Sequence, residues 1–389
     1  MELKTRNINT AFKDLVSLFK NDGRRYWSDA NASCSVVRRS SRNGDVLVID
    51  EPVTVTYSNP KERVLFNAAR DWNPFLCLYE SLYMLTGRND VAPLAHYAKQ
   101  WNEYSDDGKT LNGSYGRRWR KALYGVGQKG NDWYGGSIPD HRNEVDQLDI
   151  LVAHLKADPN SRRAILSMWN VEDDLLKIGG GGHKSNDVAC NLNVMFSIRN
   201  VVSDGANPPH PDWKITEQIL DITVTNRSND LIWGMLGTNH CTFTILQEYM
   251  AARIGVEVGR YHHFTNNLHV YTWNWKPDEW LAWESKHGGF IDYSNMCNRP
   301  AHLVLDSEAF DAEVKTVVEG FKGEIRGPRP ELDALTEPFL RGVAGPMFRA
   351  FELHRLYGET TQALRMADTI ASDDWRLAAS NWLERRAKK

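Results

Sequence analysis

The chain has 389 residues, 41% hydrophobic and 25% charged, with a formal net charge of -3. That is enough to bury a full core as one large domain, or one domain with a smaller companion. The near-neutral balance gives no electrostatic reason to expect nucleic acid or an anionic membrane as a partner. No apolar run approaches the ~20 residues of a membrane span, and the opening MELKTRNINTAFKDL has no apolar signal segment.

In chain order, the first sixty residues pair a basic patch, VVRRSSRNGD, with a strand-like VLVIDEPVTVTY. In NPFLCLYESLYMLTGRND, Pro74 starts a helix, Leu78, Leu82 and Leu85 recur at helical spacing, and Gly87 stops it. Glu80 lies inside this apolar helix, an unusual place for a carboxylate. LDILVAHLKADPNSRRAILSMWN reads as a helix, a turn at Asp158, Pro159 and Asn160, and a strand from Arg163 to Trp169. VEDDLLKIGGGGHKSND reads as a loop. Leu192, Val194, Phe196 and Ile198 then alternate with polar residues as a strand with one buried face, and Leu220, Ile222 and Val224 do the same.

CTFTILQEYMAARIG is a helix that stops at Gly255, and GRYHHFTNNLHVYTWNW is one more strand-like, aromatic segment. From about Pro300 the pattern is mainly helical, with GEIRGPRPELD as a linker. Strands broken by helices without a strict βαβ rhythm predict an α+β fold. The expected division is a catalytic domain over 1–298 and a helical C-terminal extension over 299–389.

The five cysteines, Cys34, Cys77, Cys190, Cys241 and Cys297, are scattered and include no CxxC pair. Neither a metal site nor a disulfide framework follows, and a reducing cytoplasm is the expected location. The run from Gly179 to Gly182 imitates a phosphate-binding loop, but His183 separates it from Lys184 and no apolar strand feeds it.

Cys190, at the head of an alternating strand, reads by itself as packing. A thiol is mostly protonated at neutral pH unless guanidinium groups stabilise its anion. Arg162 and Arg163 stand side by side at a strand start, while Arg227, Ser228 and Asp230 stand at a strand end. Paired guanidinium groups with a serine suit a phosphate. His269 and Tyr271 share one face of a strand.

Taken in order, these segments resemble the superfamily of thymidylate synthases and pyrimidine-nucleotide hydroxymethylases. The resemblance runs from about Leu65 to Trp275 through ESLYMLTGRND, NGSYGRRWR, DPNSRRAILSMWN, VACNLNVMF, NRSNDLIWG with TNHCTFTILQEYMA, and NNLHVY. It implies that fold, a mixed sheet packed with helices. It also implies 5,10-methylenetetrahydrofolate as one-carbon donor, no metal, and a homodimer in which the paired arginines serve the other subunit.

By the same resemblance, Cys190 would add to C6 of a pyrimidine and Glu80 would move protons at O4 and C5. Arg162, Arg163, Arg227 and Ser228 would hold the 5′-phosphate. A further arginine, Arg42 with Arg38 and Arg39 as competitors, would join them. His269 and Tyr271 would bind the sugar 3′-hydroxyl. Tyr115, Asp230 and Trp101 would line the nucleotide and folate cavity. Asn239 would read the base: an amide suits uracil, whereas cytosine-directed relatives carry Asp there. WGMLGTNHC is one residue longer than the family pattern, which leaves His240 as an alternative register.

Asn191 replaces the family's usual His, Ala189 its usual Pro, and the chain runs on for about ninety residues, 299–389, where methylating enzymes end in a short apolar tail. These departures favour dUMP to 5-hydroxymethyl-dUMP, a chemistry of phages that modify their DNA. The alternatives are thymidylate synthesis, dCMP hydroxymethylation and a non-catalytic scaffold.

Overall fold

In the computed structural model, the described residues are 1–21, 35–125, 142–171, 173–178, 184–202, 215–287, 293, 300–323 and 330–387. The glycine run 179–182, residues 324–329 of the expected linker, Cys34 and Cys297 lie outside them.

The alternating runs become strands β1 (Glu2–Thr5), β2 (Val36–Ser41), β3 (Gly44–Ile49), β4 (Val53–Tyr57), β5 (Ala122–Gly125), β6 (Arg142–Val145), β7 (Ile165–Ser167), β8 (Asn191–Val202), β9 (Ile215–Asn226), β10 (Asn229–Asp230), β11 (Glu257–Thr265) and β12 (Leu268–Tyr271). The helices are α1 (Ile8–Lys20), α2 (Pro74–Leu85), α3 (Val91–Tyr97), α4 (Trp101–Tyr104), α5 (Tyr115–Arg120), α6 (Gln147–Ala157), α7 (Thr238–Ile254), α8 (Pro277–His287), α9 (Ser307–Gly320), α10 (Pro330–Asp333), α11 (Gly345–Arg355), α12 (Thr360–Ala367) and α13 (Asp373–Ala387). The α+β class is as expected.

A six-stranded sheet runs β1-β4-β11-β9-β8-β7 and a four-stranded sheet runs β10-β12-β3-β2. Pairings are mixed: β9 is antiparallel to β8 and parallel to β11. Val194, Phe196, Leu220, Ile222 and Val224 are buried on the helix-covered side of the large sheet.

Two strand expectations change. The strand expected over Arg163 to Trp169 is only Ile165–Ser167, because the N–H groups of Met168 and Trp169 both converge on the Leu192 carbonyl, each at 3.0 Å, and end the ladder. The aromatic segment expected as one strand splits at Asn266 and Asn267. There the chain leaves the large sheet as β11 and enters the small one as β12. Asn266 donates its N–H to Asn226 O at 3.0 Å, and Asn267 O accepts from Asn229 N at 2.9 Å. These two backbone bonds bring the end of β9 against the crossover.

Helix α2 starts where the sequence places it. The Asn73 side chain accepts from Leu76 N at 3.1 Å and Pro74 needs no partner in the first turn. All twelve of its residues are buried, because α7 covers one side and the C-terminal helices cover the other. That explains a helix apolar all round rather than along one stripe. Helix α7 ends at Gly255, whose φ of 92° suits glycine.

The C-terminal helices share one continuous core with the sheets. Tyr79 Oη donates to Val318 O at 2.9 Å, Tyr97 Oη donates to Phe321 O at 3.1 Å, and the Tyr97 and Phe351 rings stack at 4.6 Å. Arg385 and Arg386 both bind the Asp71 carboxylate, each at 3.0 Å. The buried Arg63–Glu248 ion pair lies between these parts, and Glu248 Oε1 also accepts from Leu303 N at 3.0 Å.

Removing one member of such a pair leaves a buried charge alone, which costs roughly 3–5 kcal/mol. Glu248→Ala is therefore expected to lose about that much stability in urea unfolding. A loss below about 1 kcal/mol would mean that the pair does not join these segments.

Candidate active site

Cys190 directly precedes β8, and Arg227 directly follows β9. Antiparallel pairing of these strands sets Asn191 opposite Asn226, so the two candidates face each other across the sheet end. Arg227 N donates to Cys190 O at 2.9 Å. Its guanidinium donates to Ala189 O at 3.0 Å and Val188 O at 2.9 Å, so it braces the backbone leading to the cysteine.

Burial raises the half-buried Cys190 thiol above its ordinary range; Arg227 and Arg42 lower it, Asp187 and Asp230 raise it. This runs against the expectation from the resemblance that Arg227 keeps Cys190 as a thiolate. The attraction has the expected sign, but desolvation outweighs it and the resting group is the neutral thiol.

The small sheet brings a second cation. Arg42 sits at the turn between β2 and β3, and its Nη2 donates to Asn186 O at 3.2 Å, on the same segment as Cys190. Its competitors are engaged elsewhere: Arg38 binds Asp45 at 2.7 Å and Arg39 binds Asp50 at 2.5 Å. The pattern VVRRSSRNGD left these three open, and strand alternation followed by a tight turn separates them.

Arg162 and Arg163 are exposed and do not join this group. Continuing the register Ser167↔Asn193 and Ile165↔Met195, Arg163 falls opposite Ser197, seven residues along β8 from Cys190. At about 3.3 Å per residue that is roughly 23 Å.

Glu80 is buried on α2, and its Oε2 has no hydrogen-bond partner among the described residues. Burial raises it to about 8, so the carboxyl holds its proton at neutral pH. Tyr115, at the start of α5, stacks on Phe243 with ring centroids 5.7 Å apart. Burial raises its hydroxyl, and the charges of Cys190, Asp187 and Glu80 raise it further, which places this phenol among all three.

Asp230 caps the turn after β10: its Oδ1 accepts from Ile232 N at 2.7 Å and Trp233 N at 2.5 Å. Its Oδ2 is buried with no side-chain partner among the described residues; burial raises the carboxyl to about 6, against backbone N–H groups that include Tyr271. Parallel pairing of β10 with β12 puts His269 beside Asp230. The His269 ring meets Tyr271 edge-on at 5.5 Å, and His269 Nδ1 lies 3.4 Å from Ser228 Oγ. Trp101, half-buried on α4, packs against Tyr104 at 5.8 Å. Tyr104 in turn feels Tyr271, Asp230 and Arg42, which sets α4 beside this group.

Leading into WGMLGTNHC, Leu231–Met235 form a π-turn, closed by Leu236 N donating to Leu231 O at 2.9 Å. Beyond it Asn239 is half-buried, with Nδ2 3.5 Å from Asn229 Oδ1. His240 is fully buried against the Tyr57 ring at 4.5 Å. Burial drives its basicity far down. The partly open side of this turn thus carries Asn239.

Two residues that sequence reasoning passed over lie in the group. Asp187, whose Oδ2 accepts from Gly113 N at 2.7 Å, adds negative charge near Cys190. Three residues before a cysteine it gives no sequence signal. Tyr104 had one, since it stands at i+3 from Trp101 on the same helical turn. Among the described residues no cluster of three His, Cys, Asp or Glu side chains could hold a metal.

The sequence profile of the thymidylate synthase family matches residues 40–298. A deoxyuridylate hydroxymethyltransferase of Pseudomonas phage M6 is 35% identical over 402 aligned residues, spanning 99% of this chain and 94% of that protein. One from Bacillus phage SP01 is 36% identical over 237 residues, 59% of this chain and 54% of that protein. A thymidylate synthase of Streptococcus thermophilus is 27% identical over 186 residues, 48% of this chain and 52% of that protein. With two thirds of its length inside the family profile and a relative aligned nearly end to end, the chain belongs to the thymidylate synthase family.

Proposed function

We propose that the protein transfers a one-carbon unit from methylenetetrahydrofolate to C5 of dUMP and releases 5-hydroxymethyl-dUMP. The observation that carries this reading is the approach of two cations, Arg42 and Arg227, to Cys190, with the phenol of Tyr115 near both Cys190 and the protonated carboxyl of Glu80. End-to-end similarity to the phage M6 hydroxymethyltransferase supports hydroxymethyl over methyl.

Arg42, Arg227 and Ser228 hold the 5′-phosphate, His269 and Tyr271 the 3′-hydroxyl, and Asn239 the base. Cys190 loses its proton and its sulfur bonds C6, which sends the ring electrons toward C5 and O4. The proton on Glu80 neutralises charge developing at O4. When bound, the folate supplies a carbon at the oxidation level of formaldehyde. C5 bonds that carbon and gives up its own proton, and the bond from the carbon to the folate nitrogen breaks, which frees tetrahydrofolate and leaves an exocyclic methylene conjugated with the ring. Water then adds at the exocyclic carbon, and Cys190 departs from C6. No hydride moves, so the balance is dUMP, methylenetetrahydrofolate and water to 5-hydroxymethyl-dUMP and tetrahydrofolate.

The donor set fits a pterin. The buried Asp230 carboxylate can accept its N–H groups, and Trp101, Tyr104 and Tyr271 offer ring faces beside it. Arg162 and Arg163, far along β8 from their own cysteine, reach a nucleotide only from a second copy of the chain. Exposed Ile165 and Met195, paired across β7 and β8, give the large sheet an apolar patch on which a homodimer packs. The phage relatives fit a phage-encoded enzyme working in a host cytoplasm.

Cys190→Ala is expected to abolish tritium release from [5-³H]dUMP in the presence of the folate while leaving the thermal unfolding cooperative. Release undiminished in that variant would remove Cys190 from the mechanism. Glu80→Gln is expected to lower kcat by about 10² or more. The same change should stabilise the fold. The Glu80 carboxyl sits at about 8 when folded and near 4.3 when unfolded, so the folded state binds the proton more tightly and loses stability as pH rises between those values. The Tm gain of Glu80→Gln should therefore be larger at pH 8 than at pH 5. An equal gain at both would contradict the raised carboxyl.

A further inference from the structure

We propose that His263 fixes the orientation of the Asn239 amide and thereby makes the site read uracil rather than cytosine. The proposal rests on Asn239 being the base-reading residue.

Behind the cysteine lies a run of buried polar side chains. Asn191, Asn226, Asn229 and His263 are each at most 2% exposed. Their directions follow from a backbone group. Phe264 O is 3.2 Å from one edge of the Asn226 amide, and a carbonyl only accepts, so that edge is the NH₂. The same Nδ2 lies 2.9 Å from His263 Nε2, which must then be the unprotonated ring nitrogen. Burial keeps this histidine neutral, so the proton sits on Nδ1, which donates to Tyr261 Oη at 2.7 Å.

His263 Nε2 also meets Asn229 at 2.6 Å. Facing a lone pair, Asn229 presents its NH₂ there and turns its oxygen the other way. That oxygen accepts from Asn239 Nδ2 at 3.5 Å, a long contact in which an NH₂ is matched to the acceptor and an oxygen would not be. Gly234 makes room for the contact: a Cβ there would lie 1.6 Å from Asn229 Oδ1. At the other end Asn191 Nδ2 donates to Thr225 O at 3.0 Å and lies 3.3 Å from Asn226 Oδ1, so a second carbonyl enforces the same sense.

Uracil offers a donor at N3 and an acceptor at O4, whereas cytosine offers an acceptor at N3 and a donor at N4. One amide satisfies either pattern, but only after turning by 180°. Turning Asn239 would set its oxygen against Asn229 Oδ1, two acceptors with no proton between them. Asn229 cannot turn in response without aiming its oxygen at His263 Nε2. His263, Asn229 and Asn226 are thus positioning residues that act through Asn239.

The test measures kcat/KM for dUMP and for dCMP with the full-length protein and its His263→Leu and Asn229→Ala variants. Asn239→Asp serves as the control for base reading. The ratio of the two constants is unaffected by a loss of folded protein. It is expected to fall at least tenfold in either positioning variant, through a gain on dCMP, and to fall in Asn239→Asp as well. Should His263→Leu not fold, Asn229→Ala decides alone. A ratio that falls only in Asn239→Asp would overturn the proposal and leave the base-reading role intact. A ratio that also stays constant in Asn239→Asp would remove Asn239 as the reader, and the proposal with it.

Discussion

The fold is organised around one constraint, a carboxyl held inside a helix that is buried on every side. Glu80 keeps its proton because α2 has α7 on one flank and the C-terminal helices on the other, and water reaches neither. A charge in that setting would cost several kcal/mol, so the group stays neutral. The neutral acid is the form that can hand a proton to a developing oxyanion. The C-terminal helices α9, α11 and α13 thus form part of the cover of α2. The Val318 and Phe321 carbonyls and the Phe351 and Trp382 rings pack on Tyr79, Tyr97 and Phe75 and close one flank of the helix that carries Glu80.

Much of this was legible in the chain because the signals are local. An Asn-Pro start, leucines at helical steps and a glycine stop are neighbours in sequence, and they bound α2 with Glu80 inside it. The Leu192–Ile198 alternation fixed β8, so Cys190 at its head and Arg227 after β9 could be paired by reasoning about strand ends. The resting state of Cys190 was not legible, because burial sums over many distant atoms and here reverses the expected direction. The π-turn at Leu231–Met235, just before Asn239, has no local sequence signal either. Asp187 acts through space on a thiol three residues away.

The buried amide run shows the same limit most clearly. Asn226, Asn229 and His263 meet across 34 to 37 residues of chain, and each read separately is a polar residue in or beside a strand. Their order comes from the crossover at Asn266 and Asn267, where β11 and β12 leave for different sheets. Asn191, which departs from the family's histidine, is the end of that run. The residue beside Cys190 thus belongs to the buried amide run, through Thr225 O and Asn226 Oδ1. The phage M6 relative aligns along 99% of the chain, extension included, whereas the alignment with the Streptococcus thermophilus thymidylate synthase spans 48% of it.

The outcome at the exocyclic carbon separates hydroxymethylation from methylation, and the oxygen of the product records it. With dUMP and methylenetetrahydrofolate in ¹⁸O-labelled water, the account predicts a nucleotide carrying a 5-hydroxymethyl group with one ¹⁸O, and tetrahydrofolate as the released folate. Unlabelled thymidylate accompanied by dihydrofolate would contradict it.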